Sequence, residues 1–314
     1  MSLEKTIEFV GKIIANVEKA VSGKREAVEL VLTGLMARSH VLIEDVPGIG
    51  KTTLAMAVAR SIGARFNRIQ MTSDLLPSDI VGGLVFNPKD QDFEVRWGPV
   101  DGNIILCDEI NRATPKTQSA LLECMAESRV TIDRQTLRLE DPFMVIATQN
   151  PLEYEGCYIL GESQKDRFII SFKMGYPSAE HELAILKGHT DVRAGADNIE
   201  PVVTLEEAIF LQNQTALVKV SDQVLGYIMK IVEATRNDSR VTVGVSPRGS
   251  ILLKMAACAI ALIRGRDYVI FDDVKYLAPF VLSHRIQIAS DRYYDNALPE
   301  NIIKDCLAKI PVAV

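Results

Sequence analysis

The eight residues Asp45-Val46-Pro47-Gly48-Ile49-Gly50-Lys51-Thr52 restrict what this chain can fold into more than any other stretch. They meet the phosphate-loop pattern G-x-x-x-x-G-K-[ST] everywhere except at its first position, where Asp45 replaces glycine. The preceding run His40-Val41-Leu42-Ile43-Glu44 is short and apolar, as a buried strand is, and the residues from Thr52 onwards read as a helix. A strand, a glycine turn and a helix start aim free backbone N–H groups and the helix dipole at one point, which suits an anion. Lys51 would then reach the β- and γ-phosphates of a nucleotide, and the Thr52 hydroxyl would ligate Mg²⁺. Candidate nucleotide contacts are Pro47, Gly48, Ile49, Gly50, Lys51, Thr52 and Thr53. An ordinary Gly/Pro turn before a helix shares several of these residues, so the rest of the chain has to decide.

Apolar strand-like runs at 40–44, 66–71, 104–108 and 143–149, with 168–172 as a fifth, alternate with helical patterns at 52–62 and 114–127. That alternation predicts an α/β fold with a parallel sheet covered by helices. Leu3, Ile7, Val10, Ile14 and Val17 recur at helical spacing and predict an amphipathic opening helix. Two apolar runs within 84–97 flank the polar turn Asn87-Pro88-Lys89-Asp90-Gln91-Asp92, so a hairpin is expected there as an insert. After Pro177 the character changes. Gly188 to Pro201 is polar and linker-like, and Thr204-Leu205-Glu206-Glu207 is a capping box that opens a helix. Further helical patterns at 222–235, 247–264 and 272–282 predict a small all-α domain. With 314 residues, of which 47% are hydrophobic, two domains are expected, at 1–198 and 199–314.

Two more strands end in functional residue types. Gly102-Asn103-Ile104-Ile105-Leu106-Cys107-Asp108-Glu109 is an apolar strand ending in two acids, and open α/β sheets bind ligands at the carboxyl ends of their strands. Asp108 could hold Mg²⁺ through water, and Glu109 could polarise the water that attacks a γ-phosphate. Phe143 to Asn150 is a third such strand, and its terminal amide could hold that water. Asn150 also suits a plain turn before Pro151.

The ordered segments Gly48-Ile49-Gly50-Lys51-Thr52, Ile105-Leu106-Cys107-Asp108-Glu109-Ile110-Asn111-Arg112-Ala113, Ala147-Thr148-Gln149-Asn150-Pro151 and Glu162-Ser163-Gln164-Lys165-Asp166-Arg167-Phe168 together resemble AAA+ ATPases of the MoxR family. The resemblance implies a P-loop NTPase core with a helical lid, ATP or ADP and Mg²⁺ as cofactors, and Asn150 as sensor 1. It makes Arg167 the arginine finger serving a neighbouring subunit. In Gly244-Val245-Ser246-Pro247-Arg248-Gly249 it makes Arg248 sensor 2, and locally Ser246 suits an N-cap and Pro247 the first helical position. The hairpin at 84–97 falls where this family's clade carries its insert in helix 2. The family also implies a ring, expected to be a hexamer. It implies a chaperone-like role in maturing a client complex, the client often carrying a von Willebrand factor A domain. Two positions depart from the pattern. Asp45 either faces the triphosphate and repels it, or points away and leaves its backbone to act. Lys165 replaces the apolar residue usual before Asp-Arg-Phe.

Composition removes other classes. Net charge is −6 and the pI about 5.4, which argues against nucleic acid as partner and against a DNA-remodelling motor, the second alternative to a ring ATPase. The first alternative is a nucleotide-sensing scaffold with very slow hydrolysis, motivated by Asp45 and Lys165. The five scattered cysteines include no C-x-x-C pair, so a reduced, cytoplasmic location is expected. His181-Glu182 begins an H-E-x-x-H look-alike, but Ile185 occupies the second histidine position. The apolar stretch Met255–Ile263 is too short to span a bilayer, and no membrane insertion is expected.

Overall fold

Five apolar runs pair into one parallel sheet. The computed structural model describes residues 3–133, 135–151, 156–188, 198–288 and 298–311. Numbered along the chain with the hairpin strands included, the sheet strands are β1 (His40–Glu44), β2 (Phe66–Gln70), β5 (Ile104–Asp108), β8 (Met144–Gln149) and β9 (Phe168–Phe172). Their order is β2-β5-β8-β1-β9. The registers Phe66↔Ile104, Ile104↔Met144 and Val41↔Ile146 hold the ladder together.

Strands β1, β5, β8 and β9 are largely apolar on both faces because both faces are covered, while the edge strand β2 is more exposed. Successive side chains alternate. Val41, Ile43, Ile104, Leu106, Met144 and Ile146 join a core with α1 (Leu3–Glu18), α2 (Arg25–Met36), α3 (Lys51–Ser61) and the later helices. Leu42, Ile105, Cys107, Val145 and Ala147 join a second core on the other face, beneath α5 (Pro115–Glu127). In α1 the inward stripe is Val10, Ile13, Ile14 and Val17, while Ile7 is exposed. Helix α2 buries Ala27, Val28 and every residue from Leu30 to Met36, and keeps Arg25 and Glu26 exposed at its start.

The insert is a hairpin of β3 (Gly82–Asn87) and β4 (Asp92–Trp97). It follows directly on the short helix α4 (Pro77–Val81). Gly82 makes the turn from one to the other at φ 96°, and a Cβ there would lie 2.2 Å from the Arg96 carbonyl. Leu84 and Val95 pack inward, whereas Val85, Phe86, Phe93 and Trp97 are exposed. A second hairpin, β6 (Arg129–Ile132) with β7 (Gln135–Arg138), lies before β8.

Beyond α6 (Glu162–Lys165) and α7 (Ala179–Gly188), the chain is mainly helical, with helices at Leu205–Thr215, Asp222–Asn237, Pro247–Ile263, Phe271–Leu282 and Leu298–Lys309. The linker expected at 188–201 falls largely outside the described residues. The capping box forms as expected, with Thr204 N–H donating to Glu207 at 2.8 Å and Glu207 N–H to the Thr204 hydroxyl at 3.2 Å. A short strand pair, β10 (Val241–Val243) and β11 (Gln287–Ile288), also occurs there. Gln212 donates to the Leu35 carbonyl at 2.8 Å, and Phe210 stacks edge-on against Phe9, so the first of these helices is bound to α1 and α2. Among the described residues no helix is long and apolar enough to cross a membrane.

Candidate nucleotide site

Strand register decides which residues meet. Glu44 of β1 pairs with Gln149 of β8, and Cys107 of β5 pairs with Ala147 of β8. Adjacent strands lie about 4.8 Å apart. The loop leaving β1, the acids closing β5 and Asn150 after β8 therefore share the carboxyl edge of the sheet. Gly48 and Gly50 take φ 86° and 93°, in the left-handed region where a Cβ costs energy. Gly50 caps α3 without any side-chain bond, and a helix start of this kind suits an anion. Lys51 is 9% exposed, and its Nζ donates to the Asp45 carbonyl at 2.6 Å. Pro47 and Gly48 are exposed on the loop, while Ile49, Thr52 and Thr53 are half-buried, the two threonines in the first turn of α3.

Asp45 turns its carboxylate away from the loop. One oxygen accepts from Gly175 N–H at 2.7 Å, and the other from Val46 N–H at 2.9 Å. Its own N–H donates to the Gln149 carbonyl at 3.0 Å, extending the β1–β8 ladder by one residue. Of the two conformations expected for Asp45, this is the one in which the carboxylate points away.

The acidic corner is built around Thr148, which is fully buried. Its hydroxyl donates to Asp108 at 2.6 Å and accepts from Glu109 N–H at 2.9 Å. Glu109 sits at φ 57°, a strained conformation for a non-glycine residue, and the Thr148 bond helps to hold it there. The other Asp108 oxygen pairs with Arg68 at 2.6 Å. Glu109 accepts from Gln70 at 2.9 Å and pairs with Arg112 at 3.2 Å. Thr148, Arg68 and Gln70 had no role in the reading of the sequence. The signal for the last two is polar residues two apart in a strand, which share a face. The donor set fits Mg²⁺, which favours carboxylate and hydroxyl oxygens and takes one or two carboxylates with the rest from water and phosphate. Asp108 and Thr52 would hold it.

The two arginines stand elsewhere. Phe168, the first residue of β9, pairs with His40, the first residue of β1. Asp166 and Arg167 just before it therefore lie at the amino end of the sheet, roughly 13–16 Å along the strand from the phosphate loop. Arg248 pairs with Asp166 at 3.4 Å and so stands on the same edge as Arg167. Asp166 also takes Arg285 at 2.8 Å. Neither arginine is brought to the chain's own loop.

A parallel sheet of this order, with a phosphate loop leaving β1 and a helical lid following, defines the AAA+ class of P-loop ATPases. Comparison with known proteins agrees. The family described as "ATPase family associated with various cellular activities (AAA)" matches residues 40–170, and the AAA lid domain matches residues 233–305. YeaC of Bacillus subtilis, an uncharacterized protein, is 48% identical over 310 residues, covering 98% of this chain and 95% of its own. Chaperone MoxR1 of Mycobacterium tuberculosis is 40% identical, covering 98% of this chain and 83% of its own. A crystal structure from Cytophaga hutchinsonii superposes with a TM-score of 0.88 at 35% identity, covering 99% of this chain and 98% of that one. The chain belongs to the MoxR family of AAA+ ATPases.

Proposed function

We propose that this chain hydrolyses ATP as one subunit of a ring and uses the cycle to remodel a client protein. The observation that carries the reading is the common carboxyl edge, where three neighbouring strands place the loop, Asp108–Glu109 and Asn150 together. Lys51 and the N–H groups of the loop and α3 hold the phosphates. Thr52 and Asp108 hold Mg²⁺, which neutralises phosphate charge when bound. Glu109 polarises the attacking water, and Asn150 orients it. Arg167 and Arg248, lying on the far edge, serve the site of the adjoining subunit, where each stabilises developing charge. Six subunits and a von Willebrand factor A domain client are the family expectation, and the name of the MoxR1 relative supports the chaperone-like role. ATP turnover measured against protein concentration tests the reading. Specific activity should rise with assembly; a rate independent of concentration sinks the shared site.

One observation favours a slower nucleotide switch as the second reading. Both acids are engaged, Asp108 by Arg68 and Glu109 by Gln70 and Arg112, and such pairs oppose metal binding and water activation. A turnover rate that stays near zero in assembled protein, and rises on Arg68→Ala, would support it.

A further inference from the structure

The Arg285 side chain is only 2% exposed, an unusual state for arginine. It follows the lid helix Phe271–Leu282, yet its partners lie mostly in the core segment that carries Arg167. Its Nε donates to the Asp166 carboxylate at 2.8 Å, and one terminal nitrogen donates to the Asp166 and Phe168 carbonyls. The other terminal nitrogen reaches the Ile169 carbonyl at 3.4 Å and the Val281 carbonyl of the preceding helix. Around it, His284 lies 3.0 Å from the Phe168 carbonyl and Gln287 donates to Glu162 at the start of α6. Burial draws the Arg285 pKa down to about 10, with Asp166 opposing, so it stays charged at neutral pH. A planar guanidinium spread over this many acceptors fixes backbone as well as side chain, which a lysine could not do.

We propose that Arg285 is the positioning residue of the Arg167 finger, locking the α6–β9 junction to the lid so that the finger reaches the neighbouring subunit's nucleotide only when the lid is in place. The proposal rests on the reading of Arg167 as a finger acting in trans. Its exposed companion Arg248, on the same Asp166, ties the start of the helix Pro247–Ile263 to the same point. Two lid elements thus converge on one core carboxylate beside the finger. A nucleotide-driven change in the lid has a direct route to Arg167 without passing through the sheet.

Mixed assemblies test this. Arg167→Ala subunits keep their own site but offer no finger, and Glu109→Gln subunits keep their finger but cannot turn over. Mixing the two should restore ATP turnover at interfaces where Glu109→Gln faces Arg167→Ala. Adding Arg285→Gln to the Glu109→Gln partner should cut that restored rate by about tenfold or more, within the range a finger commands. Adding it to the Arg167→Ala partner should leave the restored rate within about twofold, because that subunit only receives a finger. Assembly of each mixture is checked by sedimentation. Equal rescue with and without Arg285→Gln on the donating subunit overturns the proposal and leaves the trans finger standing. Equal loss from either placement overturns it too, showing a fold-wide role. Failure of Glu109→Gln to rescue Arg167→Ala at all overturns the trans finger itself, and this proposal with it.

Discussion

Asp45, the residue in the first glycine position of the phosphate loop, gives its carboxylate to the Gly175 N–H at 2.7 Å. That N–H belongs to the segment leaving β9, the edge strand beside β1. The carboxylate therefore ties the loop to the next edge of the sheet instead of facing phosphate. Lys24 grips the same segment, its Nζ donating to the carbonyls of Met174, Gly175 and Tyr176 at 2.7–2.8 Å. A glycine at position 45 would release one of these two ties and relieve no repulsion.

Asp45→Gly is accordingly expected to lose stability without gaining rate. Losing a partly buried charge-assisted bond and adding a flexible residue cost about 1–2 kcal/mol together. Chemical denaturation should report that loss, and steady-state ATP turnover should stay level or fall. A severalfold rise in turnover would show that the carboxylate does reach the phosphates.

At the acidic corner, the proposed roles of Glu109 and of Thr148 predict different outcomes. Glu109→Gln should retain nucleotide affinity and abolish turnover, because the amide accepts no proton. Thr148→Val is nearly isosteric but removes the hydroxyl shared by Asp108 and Glu109 N–H. A fall of roughly 10–100-fold in Mn²⁺ affinity or turnover is expected, the usual size for groups that orient metal ligands. Leaving the Glu109 N–H unsatisfied should also cost about 1–3 kcal/mol. Unchanged Mn²⁺ affinity in Thr148→Val would remove that residue from its supporting role.

The sheet and the loop were legible because their signals are local. The run at 40–44 ends where the glycines begin, and β1, β5 and β9 have the bounds that their apolar runs give. The capping box at Thr204 and the cap at Ser246 are local too, and both form. What the sequence hid depends on pairing between distant parts. The β6–β7 strands of four residues are too short for alternation to stand out. Thr148, Arg68 and Gln70 gain meaning only once β2, β5 and β8 lie side by side. Likewise, nothing in the spacing of Arg248 from the loop reveals that it shares Asp166 with Arg285.

His40 makes the fold sensitive to acid. Its Nδ1 accepts from Val145 N–H at 3.0 Å and its Nε2 bonds the Met125 carbonyl at 2.8 Å, so the neutral ring joins β1, β8 and α5. Burial lowers its pKa from 6.5 to about 4, with the Met125 bond opposing. A base with a depressed pKa in the folded state stabilises above its unfolded pKa and loses that contribution as pH falls toward the folded one. Between pH 8 and pH 5 the loss is about 2 kcal/mol. His284, buried beside Arg285, is shifted the same way and adds to it. Urea unfolding across this range should show the decline, and His40→Gln should flatten part of it. An identical slope in the variant would rule His40 out.

The placement of Arg167 and Arg248 on one edge makes a prediction about where each acts. Both lie by Asp166 at the amino end of the sheet, while the loop lies at the carboxyl end. In protein diluted below its assembly concentration, Arg167→Ala and Arg248→Ala should bind a fluorescent ATP analogue as tightly as wild type. In assembled protein, Arg167→Ala should lose turnover by roughly a thousandfold, the lower end of what a finger contributes. Arg248→Ala should lose less, because Arg248 shares its carboxylate with Arg285 and must leave that pairing to meet phosphate. Lys51→Ala gives the opposite pattern, weakening binding at every concentration, because its ammonium belongs to the chain's own loop. A drop in dilute-protein affinity for Arg248→Ala, comparable to that of Lys51→Ala, would place Arg248 over its own nucleotide and require the lid to swing across the sheet.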